Sequence, residues 1–505
     1  MGLLDHLIIL PVLIPFFVAV ILLFPRFSAS LPLQRAVTLS ANLLLLLVAL
    51  SLLLTIRQQG VQVYALGNWS APFGIVLVAD AFSALMVCLS AVLGLAVTLY
   101  ACAGEDKTGV FFHPLIMFQL MGINGAFLTG DAFNLFVFFE VLLIASYSLM
   151  IHGGGKQRVQ ANIHYVFLNL IGSSLFLFAL GTLYGTLGTL NFADMADKIP
   201  QLGANELLLT KSGALLLLAV FGLKAAMLPL HFWLPKAYST TSTPVAALFA
   251  IMTKVGIYSI WRVHGVMFGD QAGELANIAL PWLWPIAILT IVIGAIAVLA
   301  SKSLRVLCSN LVIVSVGTLL VSICLNSQQA TSAGIYYLVH STIACAAMFL
   351  LAGLIQQQRG KAEDRFVSAR AMPQAAKLGF IFVLLAIALI GMPPLSGFIG
   401  KALILQSVYS SSHMLWVWPA ILVSGLISLV ALSRAGSSLF WRSNGEKNSS
   451  ALQAHPAQFL ALAILVSLLP VMVIFGGAVT EYAELAAEQL NSGLSLQQLH
   501  EVSQR

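Results

Sequence analysis

Charge is what this sequence has least of. The 505 residues hold 24 Lys and Arg and 18 Asp and Glu, 8% of the chain, where an ordinary soluble domain carries about 25%. So few ions cannot coat a particle of this size, which excludes a water-soluble globular enzyme. Cysteine is scarce too. Cys88, Cys102, Cys308, Cys324 and Cys345 lie in or beside apolar runs with no CxxC spacing, so they read as small packing residues rather than a disulfide framework or zinc site. The chain lacks a Walker loop, a dinucleotide fingerprint, a haem attachment sequence and an iron–sulfur cysteine run, so no cofactor or metal is expected in it. His152-Gly153-Gly154-Gly155 imitates an esterase oxyanion loop, but without a GxSxG nucleophile elbow its glycines simply terminate a helix. The net charge of +6 is not gathered into a basic arm or beside an aromatic platform, which excludes nucleic acid as a partner.

What the sequence has instead is hydrophobic surface, 60% of its residues. Apolar runs of about 20 residues, the length that crosses roughly 30 Å of hydrocarbon, recur from end to end. The pattern predicts an all-α polytopic membrane protein with about fourteen spans. Among them are a first at 7–25, a fifth at 132–151, a seventh at 211–230, an eighth at 244–264, an eleventh at 332–355 and a twelfth at 378–411. Asp5 precedes the first run and no basic segment does, so it reads as a span rather than a cleaved signal. Sorting the basic residues between the two alternating sets of loops gives sixteen on one side and five on the other, with three inside spans. By the positive-inside rule the first set is cytoplasmic, which puts both termini outside and requires an even number of spans. Outside the spans, 61–79 predicts a small exposed β-hairpin, with an incidental Asn68-Trp69-Ser70 sequon inside it. Gly181, Gly185 and Gly188 suggest a close helix-packing face. Glu481, Glu484 and Glu488 are spaced for an amphipathic helix at the interface or against a neighbouring protein.

Prolines interrupt two spans. Pro229 and Pro235 fall where the seventh continues as MLPLHFWLP, and GMPPLSGFIG occupies 391–400 in the twelfth. Proline removes a donor and clashes with the preceding turn, and freed carbonyls at membrane depth must face protein or a watery cavity. The breaks are five spans apart, so the two segments run in opposite directions, as in an inverted-topology repeat with its working site near the midplane. The predicted organisation is an N-terminal three-helix segment with a periplasmic hairpin (1–112), a first five-helix repeat (113–264), a second inverted repeat (265–433) and a C-terminal helix and tail (434–505).

An ionisable side chain at the centre of a bilayer costs at least about 2.5–3.5 kcal/mol on insertion scales, so each one retained needs a partner or a role. Glu140 sits in the fifth span, Lys224 one turn before the seventh-span break, Lys254 in the middle of the eighth, and Lys401 just after the twelfth-span break. One carboxylate among three ammonium groups allows a single neutral pair, which we assign to Glu140 and Lys224. The two unpaired lysines are then suited to proton exchange in a low-dielectric site. A relay needs intermediate groups. His340, in the eleventh span, fits because imidazole both donates and accepts, and His231 in the broken stretch could serve as an accessory.

GDAFNLFVFFEV (130–141), FGLKAAMLPL (221–230), ALFAIMTKVGIY (247–258) and GMPPLSGFIGK (391–401) resemble the proton-translocating antiporter-like subunits. That family is shared by Mrp-type multisubunit cation/proton antiporters and the membrane arm of respiratory complex I, and the likeness covers nearly the whole chain. LGNWSAPFGIVLVAD (66–80) and GTLNFAD (188–194) are most similar to the D-type members of the Mrp group, as is the length. The resemblance implies a fourteen-helix fold, Glu140 and Lys224 as the ion pair, Lys254 as the central lysine, His340 as the bridging histidine and Lys401 as the terminal lysine. It further implies partnership with the A-type, C-type and small subunits of an Mrp antiporter complex in a bacterial inner membrane. The expected activity is proton transport through half-channels, coupled to movement of sodium or another monovalent cation under proton-motive force, with no chemical bond transformed. A membrane-arm subunit of complex I is the alternative, since Lys401 suits both, and a stand-alone channel is a third reading. Lys236 stands where many relatives carry an acidic residue, so no entry role is assigned to that loop.

Overall fold

Apolar runs this long satisfy their own backbone only as helices, and helices occur at every predicted span. The computed structural model describes residues 6–69, 74–409, 411–442 and 452–493. The first six long helices are α1 (Leu10–Leu23), α2 (Leu31–Gln59), α3 (Ala81–Ala101), α4 (Phe112–Leu128), α5 (Ala132–Met150) and α6 (Lys156–Leu187). Next come the interrupted pairs α7a (Ala204–Ala225) with α7b (Trp233–Thr240), and α8a (Thr243–Phe249) with α8b (Met252–Ile260), the latter continuing as a π-helical turn to Met267. After α9 (Leu280–Ala300), α10 (Leu304–Cys324) and α11 (Gln328–Arg359), the third interrupted pair is α12a (Ala375–Ile390) with α12b (Ser396–Val408). α13 (Met414–Gly436), α14 (Pro456–Ile474) and α15 (Gly476–Asn491) complete the bundle. Eleven helices among the described residues are long and apolar enough to cross a membrane, and α1, α4, α12a and α12b are shorter apolar helices.

The starts follow local chemistry. Asp80 caps α3 by accepting from the Ser83 amide at 2.8 Å, while the Asp80 amide donates to the Ser83 hydroxyl. Asp131 caps α5 through the Asn134 amide. The three glycines after α5 all take positive φ and end it, as the sequence predicted. α8, α10 and α11 form the buried centre, whereas α2, α6, α9, α13 and α14 turn most of their apolar surface outward. Phe178, Leu208 and Leu415 are 70%, 72% and 80% exposed, which suits contact with lipid rather than water.

Several expectations are corrected. The hairpin exists, with β1 (Gln62–Ala65) antiparallel to β2 (Val76–Ala79) and Tyr64 opposite Leu77. It is not simply exposed, because every residue of β2 is buried. Ser70, the last residue of the sequon, lies outside the described residues. Gly181, Gly185 and Gly188 meet no neighbour that an added Cβ would touch, so they face outward from α6 instead of packing within the chain. Pro235 does not break a helix: it occupies the first turn of α7b, where its missing donor costs nothing. α8 carries an interruption at Ala250–Ile251 with no proline or glycine to announce it. The acidic tail does form a helix, α15, and it packs against α11 and α3.

Candidate functional site

The break after α7a begins at Ala226, a non-glycine residue in the left-handed region at φ 59°. The break after α12a begins at Gly391, at φ 85°. In each the cap is followed three residues later by a proline, Pro229 or Pro394, so both helices stop with carbonyls left over. In the first break the indole of Trp233 donates to the Leu223 carbonyl at 3.2 Å, and the Leu228 amide donates to Thr290 Oγ1 at 3.0 Å. In the second the Lys401 ammonium itself donates to the Ile390 carbonyl at 2.7 Å.

Of the sequence-predicted residues, Lys224, His231 and Lys401 lie at these two breaks and His340 against the second, whereas Lys254 follows the interruption of α8 and Glu140 lies on unbroken α5. Lys224 is 5% exposed in the last turn of α7a and donates to Asn169 Oδ1 on α6 at 3.0 Å. It also lies 5.9 Å from the Phe139 ring centroid. Glu140, partly buried on α5, accepts from the Ser173 hydroxyl on α6. Lys254 is 0% exposed in the first turn of α8b and donates to Ser315 Oγ on α10 at 2.7 Å. His340, on α11, bonds through Nδ1 to Ser396 Oγ at the start of α12b, 2.9 Å away. A Cβ at Gly397 would lie 2.8 Å from His340 Nε2, so the imidazole is pressed against the second break. His231 sits in the turn between α7a and α7b with Nδ1 buried and no bond to it among the described residues.

One expectation fails in detail. Glu140 and Lys224 were expected to pair directly, but among the described residues no ion pair within 4.0 Å joins them. Each instead bonds to α6, the lysine to Asn169 and the carboxylate to Ser173.

Two ion clusters were missed. Arg262, at the end of the eighth span, lies in the π-helical end of α8 and meets Asp80 at 2.5 Å. Burial alone would push the Asp80 carboxyl up, but Arg262 and the Ser83 bonds hold it below the usual carboxylate range. Arg35 binds Asp106 through two bonds of 2.6 and 2.7 Å, and His113 Nε2 adds a third at 3.2 Å. Burial again opposes ionisation, and His113 and Arg35 again outweigh it, so Asp106 stays below its ordinary value. Cys102, Asp106 and His113 are close enough to ligate one ion, yet Arg35 and His113 already occupy the carboxylate. The signal available in sequence was each acid beside a span end, but its partner lies 71 or 182 residues away.

Fold and site together define a membrane-embedded ion-translocation protein: helices broken at depth, with buried bases held along them. The chain belongs to the family described as NADH:quinone oxidoreductase/Mrp antiporter, TM, whose model matches residues 129–428. It is 40% identical over 473 residues to the probable K(+)/H(+) antiporter D subunit of Rhizobium meliloti (strain 1021), covering 87% of this chain and 88% of that one. It is 36% identical over 493 residues to the Na(+)/H(+) antiporter D subunit of Alkalihalophilus pseudofirmus, covering 96% and 97%. Among solved structures, a chain of the Mrp complex from Dietzia sp. DQ12-45-1b superposes with a TM-score of 0.85 at 24% identity, covering 99% and 100%. A chain of respiratory complex I from Thermus thermophilus gives 0.78 at 24%, covering 97% and 99%; both likenesses are of fold.

Proposed function

We propose that this chain is the D-type, proton-translocating member of a multisubunit monovalent cation/proton antiporter, driven by proton-motive force and assembled with A-type, C-type and small subunits. It sits in a bacterial inner membrane with fourteen spans and both termini outside, and α4–α8 and α9–α13 are its inverted repeats. The observation that carries the reading is the string of buried bases, each held by uncharged groups: Asn169 for Lys224, Ser315 for Lys254, Ser396 for His340 and the Ile390 carbonyl for Lys401. A carboxylate partner would lock an ammonium in its charged form, whereas a neutral partner tolerates both proton states. Helix ends add a gradient. The carbonyl end of α7a attracts the Lys224 charge, and the N–H end of α8b repels that of Lys254.

Protons would pass among Lys224, Lys254, His340 and Lys401, while Glu140, within electrostatic reach of Lys224, biases the first of them; His231 is an accessory at the first break. The test is cation-induced collapse of a preformed pH gradient in everted vesicles of an antiporter-deficient host expressing the whole complex. Sodium, potassium or lithium should collapse the gradient with the wild type and not with Lys224→Ala. An assembled complex that responds to none of them would sink the antiporter reading.

A further inference from the structure

We infer that Asn169 and Ser173, one turn apart on α6, form a neutral bridge that holds Glu140 and Lys224 separate and sets the proton state in which Lys224 works. The inference rests on the transport role proposed for Lys224.

The bridge is built rather than incidental. Serines in apolar helices ordinarily bond back to their own preceding turn, as the adjacent Ser174 does to the Leu170 carbonyl at 3.1 Å. Ser173 instead reaches across to the Glu140 carboxylate. Asn169 is anchored at its other end: Nδ2 donates to the Tyr165 carbonyl at 2.8 Å, which turns Oδ1 toward the lysine. The Tyr165 hydroxyl in turn meets Ser146 Oγ on α5 at 3.0 Å, tying the bridge to the helix that carries Glu140. Between the two bridging residues stands Gly172. A Cβ there would come within 2.7 Å of Leu223 Cδ2 and 3.9 Å of Lys224 Nζ, so a larger residue would displace the Leu223 side chain beside the lysine. Asn169, Gly172 and Ser173 thus form one face, at i, i+3 and i+4, shaped to receive the lysine and turn the acid aside. The elements packed around Lys224 carry Glu140 and Tyr147 on α5, Lys156, Arg158, His164, Tyr165 and Tyr184 on α6, and Lys254 and Tyr258 on α8b, and Glu140 is the one whose charge acts on it.

Asn169 supplies an acceptor to the charged lysine without supplying a charge. Replacing it with an apolar residue removes that support, and replacing it with a carboxylate over-supplies it, so the two changes act in opposite directions. In the vesicle assay on the complete complex, the pH optimum of cation-induced collapse should fall by about one unit in Asn169→Leu and rise by about one unit in Asn169→Asp. Ser173→Ala should slow transport, with Ser173→Thr restoring it. A merely structural Asn169 would lower the amplitude of both variants without opposite shifts of optimum. Unmoved optima, or shifts in the same direction, with Lys224→Ala inactive, would overturn the bridge alone. Wild-type transport by Lys224→Ala would overturn the underlying reading and the bridge with it. Should Asn169→Leu fail to assemble, a wild-type optimum in Asn169→Asp with no effect of Ser173→Ala would overturn the bridge equally.

Discussion

The two broken helices solve one problem in different ways. Each ends in a left-handed residue with a proline three positions on, and each holds a lysine at the break. At the first, a tryptophan indole joins the Ala226 amide on the Leu223 carbonyl, and Lys224 is left to a side-chain amide. At the second, no side-chain donor intervenes among the described residues, and Lys401 takes the Ile390 carbonyl itself. The difference teaches that the first lysine is arranged to be biased by a neighbouring charge. The second is held by backbone that moves only if the helix moves.

The largest expected effect is symmetrical. Lys224→Ala and Lys401→Ala should each cut cation-induced gradient collapse by at least about tenfold, equivalent to about 1.4 kcal/mol. A loss at only one of them would break the equivalence of the two sites. Glutamine should separate them further. Lys401→Gln keeps a donor for the Ile390 carbonyl and should assemble normally while failing to transport.

The next effect tests the caps. Ala226→Val places a β-branched residue at positive φ and should cost about 1–2 kcal/mol, read as a lower melting temperature of the purified complex. Ala226→Gly should be neutral or slightly stabilising there, since glycine pays no Cβ penalty. A smaller effect is expected at Trp233→Phe, which removes one of the two donors to the Leu223 carbonyl, the Ala226 amide remaining, and should cost about 1 kcal/mol of stability. The accompanying loss of transport should exceed that of any matched change at the second break, where no indole serves.

The smallest effect lies away from both breaks. The Asp106 carboxyl is held below its ordinary value by His113 and Arg35 against its burial. Its contribution is therefore fully present above about pH 4, and is lost only as pH falls through the lowered folded value. Melting temperatures should show no dependence on this group from neutral pH down to that point, and Arg35→Ala should move the acid-side loss toward higher pH.

Much of this was legible beforehand. The spans were readable because hydrocarbon demands runs of about 20 apolar residues. The buried charges were readable because each is expensive enough to need a reason. Proline announced two of the three interruptions. The third, at Ala250–Ile251, had no such residue, and it arises where α8 is packed on all sides. Asn169 and Ser173 carried no signal because an uncharged polar residue in an apolar helix is cheap. The Arg262–Asp80 pair carried no signal because its two members lie 182 residues apart.

Sequence by itself determined that the chain is a membrane bundle of apolar helices with broken segments and with Glu140, Lys224, Lys254, His340 and Lys401 within those helices, since these follow from local hydrophobicity, proline chemistry and the cost of charge. Tertiary structure alone decided which group holds which. Whether an acid meets a lysine or a serine depends on how closely two helices approach, and that is set by the side chains of a third.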